Sequence, residues 1–142
     1  MNQIYPYVYT ILHHGDQFVV EIYGNSRSMQ RRAHEIGMIA DKRCGAYCGI
    51  FTGEKENHGK FKAVILLKNS QFGAGVLAHE FTHAALGWFS FRKKWRNVLP
   101  FRYHRRGWNR REEKLATLIG DLNREFWLQW HRRNEKPKKA SV

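Results

Sequence analysis

Cysteine is scarce in this chain of 142 residues, which holds only Cys44 and Cys48, arranged as C-x3-C. Two thiols cannot by themselves fill a structural zinc site, and no second pair of cysteines exists to complete one. We expect both to be free thiols in or near a strand, because the compartment inferred below is reducing and disfavours a disulfide.

Long apolar runs are also missing, and none approaches the length of about eighteen residues that a transmembrane helix needs. The N-terminus, MNQIYPYVYTILHHGDQ, lacks the basic and then apolar segments of a signal peptide. We therefore predict a cytoplasmic protein that does not enter a membrane. The length and the 42% share of hydrophobic residues predict a single domain over residues 1–130, and residues 131–142 read as a basic, flexible tail.

Acidic residues are few, with 12 Asp and Glu against 25 Lys and Arg, and the imbalance is concentrated in the last third of the chain. Residues 92–142 hold sixteen basic residues against five acidic ones, and residues 92–111 contain no acid. Aromatic rings interleave with these cations, as in surfaces that bind phosphates and stack bases. The alternative for the rings is packing between helices. For the charge we expect an anionic partner, either nucleic acid or an acidic protein.

The hydrophobic pattern predicts an α+β fold, a small mixed sheet with helices packed on it. The predicted strands are VYTILHH, QFVVEIYG, AYCGIFTG and KFKAVILLKN, with a turn at His14-Gly15-Asp16 between the first two. The predicted helices are SMQRRAHEIGMIADK, capped by Ser26 or Ser28, then residues 71–88 and residues 109–130. Residues 90–108 are predicted to be a loop.

The second predicted helix contains VLAHEFTHAAL, which places His79 and His83 four residues apart. Residues at that spacing stack on one helix face, so both imidazoles can bind one zinc ion. Glu80 lies roughly 100° around the helix, where it can hold a water that the ion also binds. Such a glutamate can take a proton from the water and pass it to a leaving amine.

The apolar residues of this helix fall on the side opposite the histidines, between roughly 140° and 240° from His79. They are Leu77, Phe81, Ala84, Ala85 and Trp88. This separation argues against two histidines buried in the core, although a metal-free helix with incidental histidines stays a possible alternative. Gly87, one turn after His83, predicts open space above the metal.

A catalytic zinc normally has three protein ligands and one open position, so a third ligand is required. The third predicted helix offers Glu113, which shares a strip of small residues with Ala116 and Gly120. Such a strip lets two helices approach closely. The adjacent Glu112 is an alternative, because the helical wheel sets it nearer the apolar stripe.

Together, H-E-F-T-H at residues 79–83 and E-K-L-A at residues 113–116 resemble the gluzincin pattern of zinc metallopeptidases, H-E-x-x-H followed by E-x-x-A on a later helix. The arrangement is also similar to small metallopeptidase-like proteins of phages and prophages, over about residues 62–128. The resemblance implies a zincin-like fold whose C-terminal helix supplies the third ligand. It implies His79, His83 and Glu113 as zinc ligands, Glu80 as catalytic base, and an endopeptidase activity.

Minimal zincins place an edge strand beside the active-site helix, and the resemblance implies that KFKAVILLK is that strand. An extended peptide substrate would pair with it by β-augmentation. The chain departs from the pattern at Thr117, where several gluzincins carry an Asp that orients a zinc histidine.

His104 is a rival third ligand, because other zincins use a third histidine after H-E-x-x-H. The basic character nearby is similar to that of SprT-like proteases, which act on DNA-bound proteins, but their zinc-ribbon cysteines are absent. His104 or Tyr103 is also a candidate donor to the developing oxyanion. A non-enzymatic alternative is a zincin-like scaffold that binds nucleic acid or an associated protein through residues 92–111, with zinc structural.

Overall fold

The computed structural model describes residues 5–38, 45–51, 59–94 and 110–134. Within these ranges the strands are β1 (Tyr7–His13), β2 (Asp16–Tyr23), β3 (Ala46–Phe51) and β4 (Lys62–Lys68). The α-helices are α1 (Ser26–Glu35), α2 (Ala74–Lys93) and α3 (Arg110–Asn134), and a 3-10 turn at Asn69–Gln71 precedes α2. The predicted α+β class with a small mixed sheet is confirmed. No helix in the described ranges is long and apolar enough to cross a membrane.

The four described strands form one sheet in the order β1-β2-β4-β3. β2 and β4 are parallel, and the two outer pairs, β1 with β2 and β3 with β4, are antiparallel. The prediction that KFKAVILLK forms the edge strand is therefore wrong, because β4 has a neighbouring strand on each side, β2 and β3. The physical reason is visible in β4 itself, where Ala63–Leu67 are all buried. A continuous apolar run suits a strand covered on both faces.

The turn between β1 and β2 lies where the sequence predicts it. His13 pairs with Asp16, so His14 and Gly15 form a two-residue loop. Both have positive φ, 49° and 79°, which is the geometry of the tight turns that match strand twist. Glycine takes this conformation without steric cost at the second position.

Helices cover the sheet on both faces. α2 and α3 bury one face, in a core that includes Phe18, Ile65, Phe81 and Phe126. α1 covers part of the other face, where its Met29 and Ala33 pack on Val64 and Leu66.

The cap of α1 differs from the prediction. The Asn25 side chain accepts a hydrogen bond of 2.9 Å from the backbone N–H of Ser28, so neither Ser26 nor Ser28 is the N-cap. The helix ends at Glu35, and Gly37 follows with a φ of 77°. A residue in this left-handed conformation commonly ends a helix, which explains why α1 is shorter than its apolar pattern predicts.

Helices α2 and α3 both extend beyond their predicted ends. α2 continues to Lys93, so the first residues of the predicted loop 90–108 are helical. α3 continues to Asn134 and takes in the beginning of the predicted tail 131–142. Residues 95–108 and 135–142 lie outside the described residues.

The buried carboxylate of Asp16 connects the C-terminal end of α2 to the sheet through hydrogen bonds. Asp16 accepts hydrogen bonds from the backbone N–H of Phe61 at 2.9 Å, from Trp88 Nε1 at 2.8 Å and from Arg92 Nε at 2.7 Å. Arg92 Nη2 contacts the other carboxylate oxygen. Burial alone would raise the pKa of Asp16, but these hydrogen bonds outweigh it and hold the pKa below its usual value. The network fixes where α2 lies on the sheet.

Candidate metal centre

Helix α2 presents two different faces to its surroundings. Leu77, Phe81, Ala84, Ala85 and Trp88 are all buried against the sheet and α3, which confirms the predicted core stripe. His79 and His83 are exposed on the other side of the helix. The two histidines are therefore not core residues.

The imidazoles of His79 and His83 are adjacent, at a spacing that suits a shared metal ion. Their Nε2 atoms are 3.1 Å apart, and the ring centroids are 4.7 Å apart with an interplanar angle of 81°. Two nitrogens that each lie about 2.05 Å from one tetrahedral zinc are about 3.3 Å apart. The observed separation is close to this value, so the pair fits two ligands of one zinc ion.

Glu80 is buried between α2 and strand β3, with 7% of its surface exposed. No hydrogen bond from another described residue reaches its carboxylate. Burial raises the pKa of Glu80, and the nearby His83 and His79 only partly oppose that rise. A largely buried carboxyl next to two imidazoles is costly to charge and is typical of a functional group.

Strand β3 forms the wall of the site on the Glu80 side. The Cys48 thiol is partly buried, and its pKa is raised to about 12, first by burial and then by the charge of Glu80, so the two side chains are near each other. Ile50 lies over Gly87, where an added Cβ would come 2.6 Å from Ile50 Cδ1. Gly87 therefore admits a side chain of β3, rather than leaving the open space that the sequence predicts.

Glu113 of α3 is exposed and lines a cavity of about 560 Å³ together with His13, Trp88 and Lys93. His79 and His83 are not among the residues that line this cavity. The described residues contain no group of three or more His, Cys, Asp or Glu side chains placed to hold a metal.

The structure describes only some of the other candidate ligands and hydrogen-bond donors. Thr117 lines the same cavity as Glu113. Glu112 belongs to α3, but its side chain is outside the described part of the structure, as are Tyr103 and His104. The prediction for His104 as a ligand, and for His104 or Tyr103 as an oxyanion donor, stays a prediction.

The basic segment at residues 92–111 is described only at its two ends. Arg92 forms an ion pair with Asp16, so this cation has a structural partner. Lys94 is exposed and its Nζ lies 5.7 Å from the centroid of the Phe91 ring. Contact of this segment with an anionic partner stays a prediction.

The sequence did not indicate that two residues of β3 border the site. Cys48 is near Glu80, and Ile50 contacts Gly87. The signal that could have indicated them is the alternation in AYCGIF, which places Ala46, Cys48 and Ile50 on one side of the strand. Only the sheet order shows that this side adjoins the histidine helix.

Comparison with known proteins gives no match. No protein-family model matches the chain, and neither the curated proteins nor the solved structures contain a significant match.

Proposed function

We propose that this chain is a zinc-dependent metallopeptidase whose metal is held by His79 and His83, with Glu80 as the catalytic base. The observation that carries the proposal is the 3.1 Å separation of the two Nε2 atoms beside a buried carboxylate. The pair has the spacing, the exposure and the donor type that zinc requires.

Zinc bound at this pair would supply a Lewis acid that polarises a peptide carbonyl and lowers the pKa of a water. Glu80 takes one proton from the water while the water oxygen bonds to the carbonyl carbon. The same carboxyl then gives that proton to the amide nitrogen, and the C–N bond breaks to leave a carboxylic acid and an amine, which exchange a proton to give a carboxylate and an ammonium ion. Glu80 has no competing donor among the described residues, so its carboxylate is available for both transfers.

In this proposal the peptide substrate binds along β3. Among the described strands β3 pairs only with β4, and its other edge adjoins no described strand. A peptide can add to such an edge through backbone hydrogen bonds. Because β3 packs beside Glu80, an added peptide would pass the histidine pair.

The third protein ligand enters the proposal from the sequence pattern. Glu113 remains the residue that the E-x-x-A pattern names. His104 is the other candidate. Comparing the zinc affinity of Glu113→Ala and His104→Ala decides between them, since only loss of the true ligand weakens binding markedly.

The test of the proposal is proteolysis of an unstructured protein such as casein by the zinc-loaded wild type and by Glu80→Gln. We expect cleavage that a chelator abolishes, and a fall in kcat of on the order of 100- to 10,000-fold in Glu80→Gln with zinc still bound. Full activity in Glu80→Gln would refute the role of Glu80. A purified protein that binds no zinc would refute the whole assignment.

A second candidate function is supported by the charge balance of residues 92–142. In this alternative the scaffold binds nucleic acid, or a protein associated with it, and zinc is structural. Salt-dependent binding to DNA or RNA that persists in Glu80→Gln and after chelation would favour it.

A further inference from the structure

Strand β3, which pairs only with β4 among the described strands, presents an exposed apolar side chain beside α2. Ile50 is 40% exposed, and it is one of four large hydrophobic residues that are exposed in the described part of the chain. Its Cδ1 packs onto Gly87, where even a methyl group would clash. Gly87 follows His83 by four residues, about 6 Å along the helix axis. Ile50 therefore flanks the candidate metal centre on the side toward the end of α2.

The rest of this wall carries no charge. Ala46, Cys48 and Ile50 alternate along β3 and so share the side that faces α2. Ala46 and Cys48 are partly buried and pack on the main core. Glu80 is the described residue whose charge raises the pKa of Cys48. A group that approaches the histidines along β3 thus meets an apolar surface.

We propose that Ile50 is a specificity-determining residue that receives an apolar side chain of the peptide, next to the bond that is cut. This inference rests on the proposed function. A peptide added to β3 would place alternate side chains on the side facing α2, one of them beside Ile50. An apolar side chain there removes water from two hydrophobic surfaces, whereas a charged one loses its hydration without gaining a partner.

The experiment uses two dipeptide hydroxamates that bind zinc directly and differ only in one side chain, Leu or Ser. Their affinities are measured by competition or calorimetry on the zinc-loaded wild type, on Ile50→Ser and on Leu128→Ser. Leu128 is a matched control, because it is 44% exposed but lies on α3. For the wild type and Leu128→Ser we expect the Leu compound to bind about tenfold more tightly, as partial burial of one Leu side chain provides.

In Ile50→Ser the preference for the Leu compound over the Ser compound should fall to about twofold or less, while the affinity for the Ser compound stays unchanged. Gly87→Ala provides a second variant, since its methyl displaces Ile50 without removing it and should also reduce the preference. An unchanged Leu-to-Ser ratio in Ile50→Ser would overturn the inference while leaving the zinc site intact. If neither compound binds the wild type, the zinc site itself is refuted and this inference with it.

Discussion

Replacing Asp16 by Ala should destabilise the protein strongly, although this residue is the first of β2 and is not part of the candidate metal centre. The Asp16 side chain is 1% exposed and takes hydrogen bonds from Phe61, Trp88 and Arg92. Its removal leaves a buried backbone N–H and a buried indole N–H without their acceptor. It also leaves the Arg92 guanidinium, whose side chain is 35% exposed, without its counterion.

The magnitude follows from these contacts. Breaking a buried ion pair by removing one partner costs about 3–5 kcal/mol, and the partial exposure of Arg92 places this case at the low end, about 3 kcal/mol. With a urea m-value of about 2 kcal/mol/M for a domain of this size, the unfolding midpoint should fall by about 1.5 M. Tryptophan fluorescence during urea unfolding measures it, because Trp88 is part of the network.

The control is Asp121→Ala. Asp121 is an exposed carboxylate whose ion pair with Arg124 has a separation of 3.7 Å. Exposed pairs of this kind contribute about 0–1 kcal/mol, so the midpoint should hardly move. A loss below about 1 kcal/mol in Asp16→Ala, or an equal loss in both variants, would refute the assignment of Asp16 as the residue that fixes α2.

The pH dependence of a second variant at this position, Asp16→Asn, gives an independent check. Since the pKa of Asp16 is depressed in the folded state, its contribution is fully present above the unfolded value near 3.8. The contribution is lost as the pH falls through the folded pKa. The stability difference between wild type and Asp16→Asn should therefore be constant from about pH 5 to 7 and shrink below pH 4.

Two further predictions concern other buried carboxylates. Burial raises the pKa of Glu80, so the free-energy cost of its buried charge grows as the pH rises above about 4.5. In the presence of a chelator, Glu80→Gln should therefore be more stable than wild type at pH 7, by on the order of 1 kcal/mol. Near pH 4.5 the two proteins should have about the same stability. A thermal melt in which Glu80→Gln is less stable at both pH values would contradict this. Glu21 is buried and accepts two hydrogen bonds of 3.1 Å from Arg32 and one of 2.6 Å from Tyr23. Arg32→Ala should lower the free energy of unfolding in urea by about 2 kcal/mol, because it removes the counterion of Glu21. A loss under 0.5 kcal/mol, roughly that of an ordinary surface substitution, would contradict the pairing.

Local structure could be predicted well from the sequence because it depends on neighbouring residues. The His14-Gly15 turn follows from glycine's tolerance of positive φ, and both residues have it. The separation of the histidines from Phe81 and Trp88 follows from helical periodicity alone, and all four residues lie on the predicted sides. These features need no knowledge of how distant segments meet.

The order of the strands was harder to predict because it depends on long-range pairing. A resemblance to minimal zincins placed KFKAVILLK at the edge, although its unbroken apolar run indicates a strand buried on both faces. The position of the third ligand stays a prediction for a related reason. A strip of small residues such as Ala116 and Gly120 shows that a helix can approach another closely, but not at which turn they meet.

Zinc binding itself tests the proposal most directly. A chromophoric chelator in competition with the protein gives the zinc affinity and stoichiometry of the wild type, of the double variant His79→Ala/His83→Ala and of His34→Ala, whose exposed histidine lies on α1. We predict one zinc per chain in the wild type and in His34→Ala. The double variant should bind at least about 100-fold more weakly, a difference of about 2.7 kcal/mol. Equal zinc affinity in the wild type and the double variant would contradict a metal centre at His79 and His83.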